Sequence, residues 1–226
     1  MSAQSKIDTS RMNSFKVITV LVDNNSWILP YAEQLITELS ANYQCQLIRK
    51  AQNIPQGDVC FFLGCTQIVS SDILSRNQHN LVVHESNLPQ GKGFAPMSWQ
   101  ILAGANSIPV CLLEASNEVD SGEIWLTDTI ELDGTELHAD WRAKQGEVTL
   151  KLAKAFIKNF AKLSPTKQIG ASSFYTKRAP QDSELDTNKS LSEQFNLLRI
   201  VSNNDYPAFF IKDGVKYKLE ISRNDQ

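Results

Sequence analysis

Four short, almost unbroken apolar runs in the first 84 residues restrict this chain more than any other feature. They are residues 15–22 (FKVITVLV), 45–48 (CQLI), 59–63 (VCFFL) and 81–84 (LVVH). Runs rich in branched side chains and lacking polar alternation suit strands covered on both faces. Between the first two, residues 27–41 carry Ile28, Leu29, Ala32, Leu35, Ile36 and Leu39 at helical spacing. The preceding DNNS offers that helix an Asn or Ser cap. Residues 68–74 predict a shorter helix before the fourth strand. Strand and helix in alternation, with strands of this kind, predict an α/β fold around a Rossmann-like parallel sheet. No GxGxxG follows the first strand, so the usual dinucleotide fingerprint is absent.

The second half changes in texture. Residues 94–102 predict a helix with Pro96 near its start, and 110–114 and 123–130 predict two strands. Residues 141–160 form a long amphipathic pattern whose Lys151, Lys154 and Lys158 mark a solvated face. Residues 164–189, rich in Ser, Thr, Pro and Asp, predict a linker or extended loop. A helix over 192–201 and a hairpin over 209–221, turning at Asp213-Gly214, complete the chain. The expected division is a polar, frayed segment at 1–14, a core at 15–163 and a short helix-plus-hairpin extension at 164–226. The alternating hairpin offers an edge for a homodimer, or a cover for its own core.

Composition narrows the function classes. With 226 residues, 42% of them hydrophobic, the chain can bury a large core without staples. No run of eighteen apolar residues exists and the opening MSAQSKIDTS has no apolar h-region, so a cytoplasmic protein is expected, with no membrane partner. A formal charge of -3 argues against a nucleic-acid partner. Cys45, Cys60, Cys65 and Cys111 are isolated, form no CxxC and stand at no ligand-like spacing to His79, His84 or His138. They read as reduced thiols, with no metal expected.

The stretch that carries chemistry is 81–125. His84 ends a buried strand, where parallel sheets present side chains to ligands. SNLP and GKG follow, a loop whose glycines let backbone approach a ligand closely. Asp120-Ser121-Gly122 then presents a carboxylate from a separate turn.

Together these residues resemble the folate-dependent formyltransferases, the superfamily that holds the glycinamide ribonucleotide, methionyl-tRNA and sugar N-formyltransferases. The family pattern is Asn-x-His-x-Ser-x-Leu-Pro, a glycine-bearing loop with a proline-started helix, then Asp-x-Gly. This chain supplies His84, Ser86, Leu88, Pro89, Gly93, Pro96, Trp99, Asp120 and Gly122. Downstream, RAPQDSELD from Arg178, and NLLRIVSNNDYPAFF, which holds Arg199 and Tyr206, are similar to segments of the amino-sugar branch. The VVHES sequence is similar to members acting on the amino sugar of pseudaminic acid biosynthesis. The resemblance covers about residues 58–220.

It implies formyl transfer from 10-formyltetrahydrofolate, as co-substrate, to an amine. The substrate amine is the nucleophile, so the protein needs only a donor for the oxyanion and a base for the ammonium proton. His84 is expected as donor or base and Asp120 as its orienting or relaying partner. One departure stands out: the family Asn two residues before the His, which helps hold the formyl oxygen, is Val82 here. Asn87, Glu85 and Asn80 are candidates to replace it, Asn87 the first choice because its amide sits in the same loop. The alternative is a chain that binds without turning over.

The resemblance places Gly64, Cys65, Thr66, Gln67 and Ile68 on one side of the folate, and Glu118, Val119 and Asp120 on the other. Ser86, Lys92, Gly93, Arg178 and Arg199 are the residues expected at the acceptor. Tyr206 and Phe209 read more readily as hairpin packing than as platforms for a base, and Trp99 and Trp125 as core. The expected acceptor is a nucleotide-linked amino-deoxysugar, with a UDP-linked 4-amino-4,6-dideoxy sugar as the specific form. A methionyl-tRNA formyltransferase is the alternative enzyme. It is disfavoured by the net acidity and by a segment after Ser164 too short for the tRNA-gripping barrel of that family.

Overall fold

A computed structural model describes residues 15–224; the frayed segment expected at 1–14 lies outside the described residues. In chain order the first half holds β1 (Val17–Leu21), α1 (Leu29–Leu39), β2 (Gln44–Ile48), β3 (Gly57–Phe62), α2 (Ser71–Leu74) and β4 (Asn77–His84). A two-residue strand β5 (Lys92–Gly93) and helix α3 (Pro96–Leu102) lead to β6 (Ser107–Glu114), β7 (Ile124–Glu131) and the long α4 (His138–Asn159). The remainder holds β8 (Phe174–Tyr175), α5 (Phe195–Ile200) and the hairpin β9 (Ala208–Lys212) and β10 (Val215–Leu219).

The main sheet has six strands in the order β2-β1-β3-β4-β6-β7. The β2-β1, β1-β3 and β3-β4 pairs are parallel; β4-β6 and β6-β7 are antiparallel. The fold is therefore α/β as expected, with an antiparallel edge added to the parallel half. Alternation along β3 explains the unbroken apolar run. Val59 and Phe61 pack beneath α1 and α4, while Cys60 and Phe62 join Leu21 and Ile54 on the opposite face. Each fully buried side chain of this size contributes roughly 1.5–3 kcal/mol. The other strands of the parallel half follow the same logic: Val83 faces the α4 side, and Val82 the other.

Helix α1 corrects one expectation. Its N-cap is Ile28, which makes no side-chain cap hydrogen bond, so neither Asn nor Ser closes the helix. Pro30 occupies the first turn instead, where its missing amide costs nothing. Helix α4 is closed by the Asp140 carboxylate, which accepts the Leu137 amide at 2.9 Å. Residues 164–189 run as an extended loop that is pinned along its length. Thr166 bridges Ile124, and β8 pairs in parallel with β5. The hairpin turns at Asp213 (φ 52°) and Gly214 (φ 79°), as the sequence predicts.

Candidate functional site

The carboxyl ends of β1, β3 and β4 open onto one cavity of about 620 Å³. His84, the last residue of β4, is 5% exposed and lines it. Its Nε2 donates to the Gly91 carbonyl at 2.7 Å, and its Nδ1 stands 3.6 Å from Asp120 Oδ2. A carbonyl can only accept, so that bond keeps a proton on Nε2. A proton exchanged between ring and carboxylate must then use Nδ1. The same Asp120 oxygen accepts the Gly93 amide at 2.8 Å.

The loop bearing Asp120 is held by backbone constraints. Asp120 itself has φ 51°, a left-handed conformation that costs a non-glycine residue roughly 1–2 kcal/mol. Gly122 lies so close to the Glu114 carbonyl that no Cβ fits there. Gln168 donates to the carbonyls of Asp120 (2.8 Å) and Gly122 (2.9 Å). The strained turn is thus pinned from both sides, by the sheet and by the C-terminal segment.

The cavity is also lined by Gly64, Cys65, Thr66, Gln67 and Ile68 and by Glu118, Val119 and Asp120. Asp23, a residue the sequence reading passed over, organises the first loop: its carboxylate accepts the Thr66 and Gln67 amides at 3.0–3.1 Å. The Cys65 thiol donates to the Leu21 carbonyl. Burial, then the Asp23 charge, push it up to about 12, so it stays protonated and unreactive. Ile68 and Val119 are 74% and 43% exposed although apolar. Two exposed apolar side chains on loops that line one cavity, with polar backbone beside them, fit a flat heterocycle such as a pterin.

The wall next to His84 carries Val82, on the same face of β4 by strand alternation, and this valine lines the cavity. The expected substitute, Asn87, is exposed and outside the lining; its carbonyl accepts the Gln90 amide in a turn. It therefore cannot supply the amide absent at Val82. Asn80 is equally excluded, because its amide nitrogen donates to the Leu74 carbonyl at 2.8 Å.

Several expected acceptor contacts are redirected. Gly93 lines the cavity, but a Cβ there would meet the Tyr175 carbonyl at 2.5 Å; with φ 95°, its freedom serves the contact with β8 rather than a ligand. Lys92 is buried and donates to Ser121 Oγ at 2.7 Å, bracing the Asp120 turn instead of meeting a phosphate. Ser86 is buried outside the cavity lining. Arg199 is 1% exposed and paired with Glu136 at 3.4 Å, which makes it a core residue. Arg178 donates to the carbonyls of Ile200 and Asp182 and to Ser183 Oγ, tying the C-terminal segment together. Trp99 and Trp125 lie outside the cavity lining, donating to Thr176 and Glu114 respectively. Tyr206, in contrast, does line it.

The cation in the cavity is Arg142, which the sequence hid on the amphipathic α4. Its guanidinium lies 4.5 Å from the Trp27 ring and 4.4 Å from the Trp141 ring, and donates to Gln145 at 2.7 Å. Burial lowers its pKa to about 10, opposed by the Glu85 charge, so it remains a cation at neutral pH. No carboxylate pairs with it directly among the described residues. Among those residues no cluster of His, Cys, Asp or Glu suits a metal.

Two curated methionyl-tRNA formyltransferases are similar to this chain. That of Francisella philomiragia is 25% identical over 215 residues, covering 92% of this chain and 66% of its own length. That of Lachnospira eligens is 25% identical over 167 residues, covering 72% and 52%. The chain thus spans between half and two thirds of these relatives. Among solved structures, methionyl-tRNA formyltransferase from Clostridium thermocellum superposes with a TM-score of 0.73 at 18% identity, covering 90% of this chain and 96% of that one. A sugar N-formyltransferase from a Shewanella species gives 0.70 at 14%, covering 93% and 99%. HypX from Aquifex aeolicus in complex with tetrahydrofolic acid gives 0.71 at 16%, covering 88% and 36%. At these identities the superpositions speak for the fold. The formyl transferase family description matches residues 4–151, well over half of the chain, and so the chain belongs to the formyl transferase family.

Proposed function

We propose that this protein is an N-formyltransferase that moves a formyl group from 10-formyltetrahydrofolate to the primary amine of a nucleotide-linked amino-deoxysugar, in the cytoplasm. A UDP-linked 4-amino-4,6-dideoxy sugar, destined for a surface or flagellin glycan, is the specific acceptor proposed. The observation that carries the reading is the His84–Asp120 pair, set 3.6 Å apart in the wall of one large cavity. Ile68 and Val119 in its lining suit the folate ring; Glu85, Arg142 and Tyr206, in the same lining, suit a charged acceptor.

The folate supplies the activated formyl group. The chain's own residues do the rest. Asp120 holds the Gly93 amide and the Nδ1 side of His84, so the ring keeps one orientation through the reaction. His84 handles the proton lost by the amine as the C–N bond forms. The backbone of residues 65–68 and 118–120 fixes the donor, and the apolar walls exclude water from the formyl carbon.

An acidic chain and a C-terminal segment that packs into the site, with Tyr206 in the cavity wall, favour a small sugar nucleotide over tRNA. The similarity to curated methionyl-tRNA formyltransferases favours tRNA as the second reading. A panel of UDP- and dTDP-linked amino-deoxysugars, with methionyl-tRNA alongside, decides the matter when incubated with 10-formyltetrahydrofolate in single turnover. Formylation of a nucleotide sugar is expected. Formylation of methionyl-tRNA alone would establish the second reading, and folate binding without turnover on any amine would leave a binding protein.

A further inference from the structure

Glu85 is 9% exposed and lines the cavity, yet its carboxylate oxygens accept no hydrogen bond from any described residue. The contrast with two other acids is sharp. Glu136 receives two backbone amides and two cations, and Asp120 receives an amide and faces His84. The oxygens of Glu85 are not sealed inside the protein, so they stand unpaired at the surface of the cavity. Its backbone is nonetheless fixed: the Gln100 side chain donates to the Glu85 carbonyl at 2.6 Å, from the helix that follows the loop. His84 and Glu85 are successive residues of the cavity lining, one set against Asp120, the other feeling the charge of Arg142 without a direct ion pair. Val83, Met97 and Trp27 supply apolar walls to the same cavity. The cavity therefore presents a carboxylate whose oxygens are free to meet a cationic group, with no cation of the described residues at contact distance.

Resting on the formyl-transfer reading above, we propose that Glu85 binds the acceptor's ammonium group and takes its first proton. The ammonium N–H gives its proton to a Glu85 oxygen, which frees the nitrogen lone pair. That pair forms the C–N bond to the formyl carbon, and the bond between formyl carbon and folate nitrogen breaks. The second amine proton passes by way of His84 and Asp120 to the departing nitrogen, and the Glu85 proton is released to water. Arg142 holds the carboxylate in place by its field while leaving its oxygens to the substrate. Glu85 is in this scheme a catalytic residue that selects charged amines, standing in the same short segment where Val82 has removed the amide.

The test compares the wild type with Glu85→Gln and Glu85→Asp on two kinds of acceptor. The first kind is an ammonium ion at the assay pH: the nucleotide-linked amino sugar, with methylamine beside it. The second is hydroxylamine, which is uncharged there and needs no deprotonation. Glu85→Gln is expected to lose about 100-fold or more in kcat/KM on the ammonium acceptors, within the usual range for a general base, and to keep its rate on hydroxylamine. Glu85→Asp recovers part of the loss. An equal loss on both kinds of acceptor, or none on either, overturns the proposal. Wild-type activity on methylamine and hydroxylamine but on no nucleotide sugar would overturn the sugar reading alone, with Glu85 still decided on methylamine. A wild type that formylates nothing overturns both.

Discussion

Asp120 Oδ2 serves His84 and Gly93 at once: it lies 3.6 Å from the His84 Nδ1 and accepts the Gly93 amide at 2.8 Å. The carboxylate that orients the ring also anchors the glycine loop. Asp120→Asn keeps the volume but loses the charge, and is expected to lower kcat by about 10²–10⁴. His84→Ala should do the same. Both should leave the circular dichroism spectrum and the binding of a folate analogue unchanged, which single-turnover kinetics and fluorescence titration can check together.

Arg142, stacked between Trp27 and Trp141, is suited to an anionic part of the acceptor such as a diphosphate. Arg142→Gln is expected to raise KM for a nucleotide-linked acceptor by about tenfold or more, equivalent to roughly 1.4 kcal/mol, and to weaken methylamine turnover less, through the loosened Glu85 carboxylate alone. Arg142→Lys should not restore it, because an ammonium has no planar face to lie between two rings. Competition by UDP, measured on wild type and variant, is the direct readout.

At Gly93, φ 95° and the Tyr175 carbonyl leave no place for a side chain. Gly93→Ala must push β8 away or twist the loop. It is expected to cost about 1–3 kcal/mol of stability and, because Asp120 holds the Gly93 amide, to lower kcat as well. Urea unfolding and turnover measured on one preparation would show the two effects moving together.

The buried pair of Arg199 and Glu136 links α5 to the turn before α4. Removing the acid leaves a guanidinium at 1% exposure without its counter-ion. Glu136→Ala is expected to destabilise the protein by about 3–5 kcal/mol, while Arg223→Ala, at an exposed pair with Asp140, should cost under about 1 kcal/mol. Chemical denaturation of the two variants separates these magnitudes.

Stability should fall with acid in two stages. Burial, with the Arg142 charge beside it, lowers His138 from its ordinary 6.5 to about 4. The unfolded chain binds that proton more readily than the fold does, so stability is complete above pH 6.5 and declines toward pH 4. Burial opposes the Glu136 charge, but hydrogen bonds from Lys144 and from the Asp133 and Gly134 amides outweigh it and bring the carboxyl to about 2. Its contribution is lost between pH 4.5 and 2. Melting temperature plotted against pH should show both declines, and His138→Gln should flatten the first alone.

The parallel half of the sheet was legible because burial on both faces imprints an apolar run, as VCFFL of β3 does with alternate residues on opposite sides. The antiparallel edge, β6 and β7, was read as strands but not as a reversal of direction, since direction leaves no mark on a strand's own composition. His84 and Asp120 were legible through their register with surrounding glycines and prolines. Arg142 was not, because on an amphipathic helix a charged residue facing a cavity has the same spacing as one facing water. Asn87 misled for the opposite reason: sharing a loop with His84 says nothing of which side of the loop a side chain takes. The caps and straps of residues 164–189 depend on backbone pairing, such as that of Gly93 with Tyr175, and backbone pairing carries no side-chain pattern.

The pairing of Lys92–Gly93 with Phe174–Tyr175 makes the tail a brace of the loop that meets Asp120. The family match ends at residue 151, whereas Asp120 is braced through Gly93 by Tyr175 and through its own carbonyl by Gln168. Grafting another member's C-terminal segment onto this core would therefore reset the distance between His84 and Asp120 along with the acceptor wall. On the function proposed above, recognition and reactivity are inherited as one unit, and a chimera designed to exchange only the first must carry residues 92–93 with it.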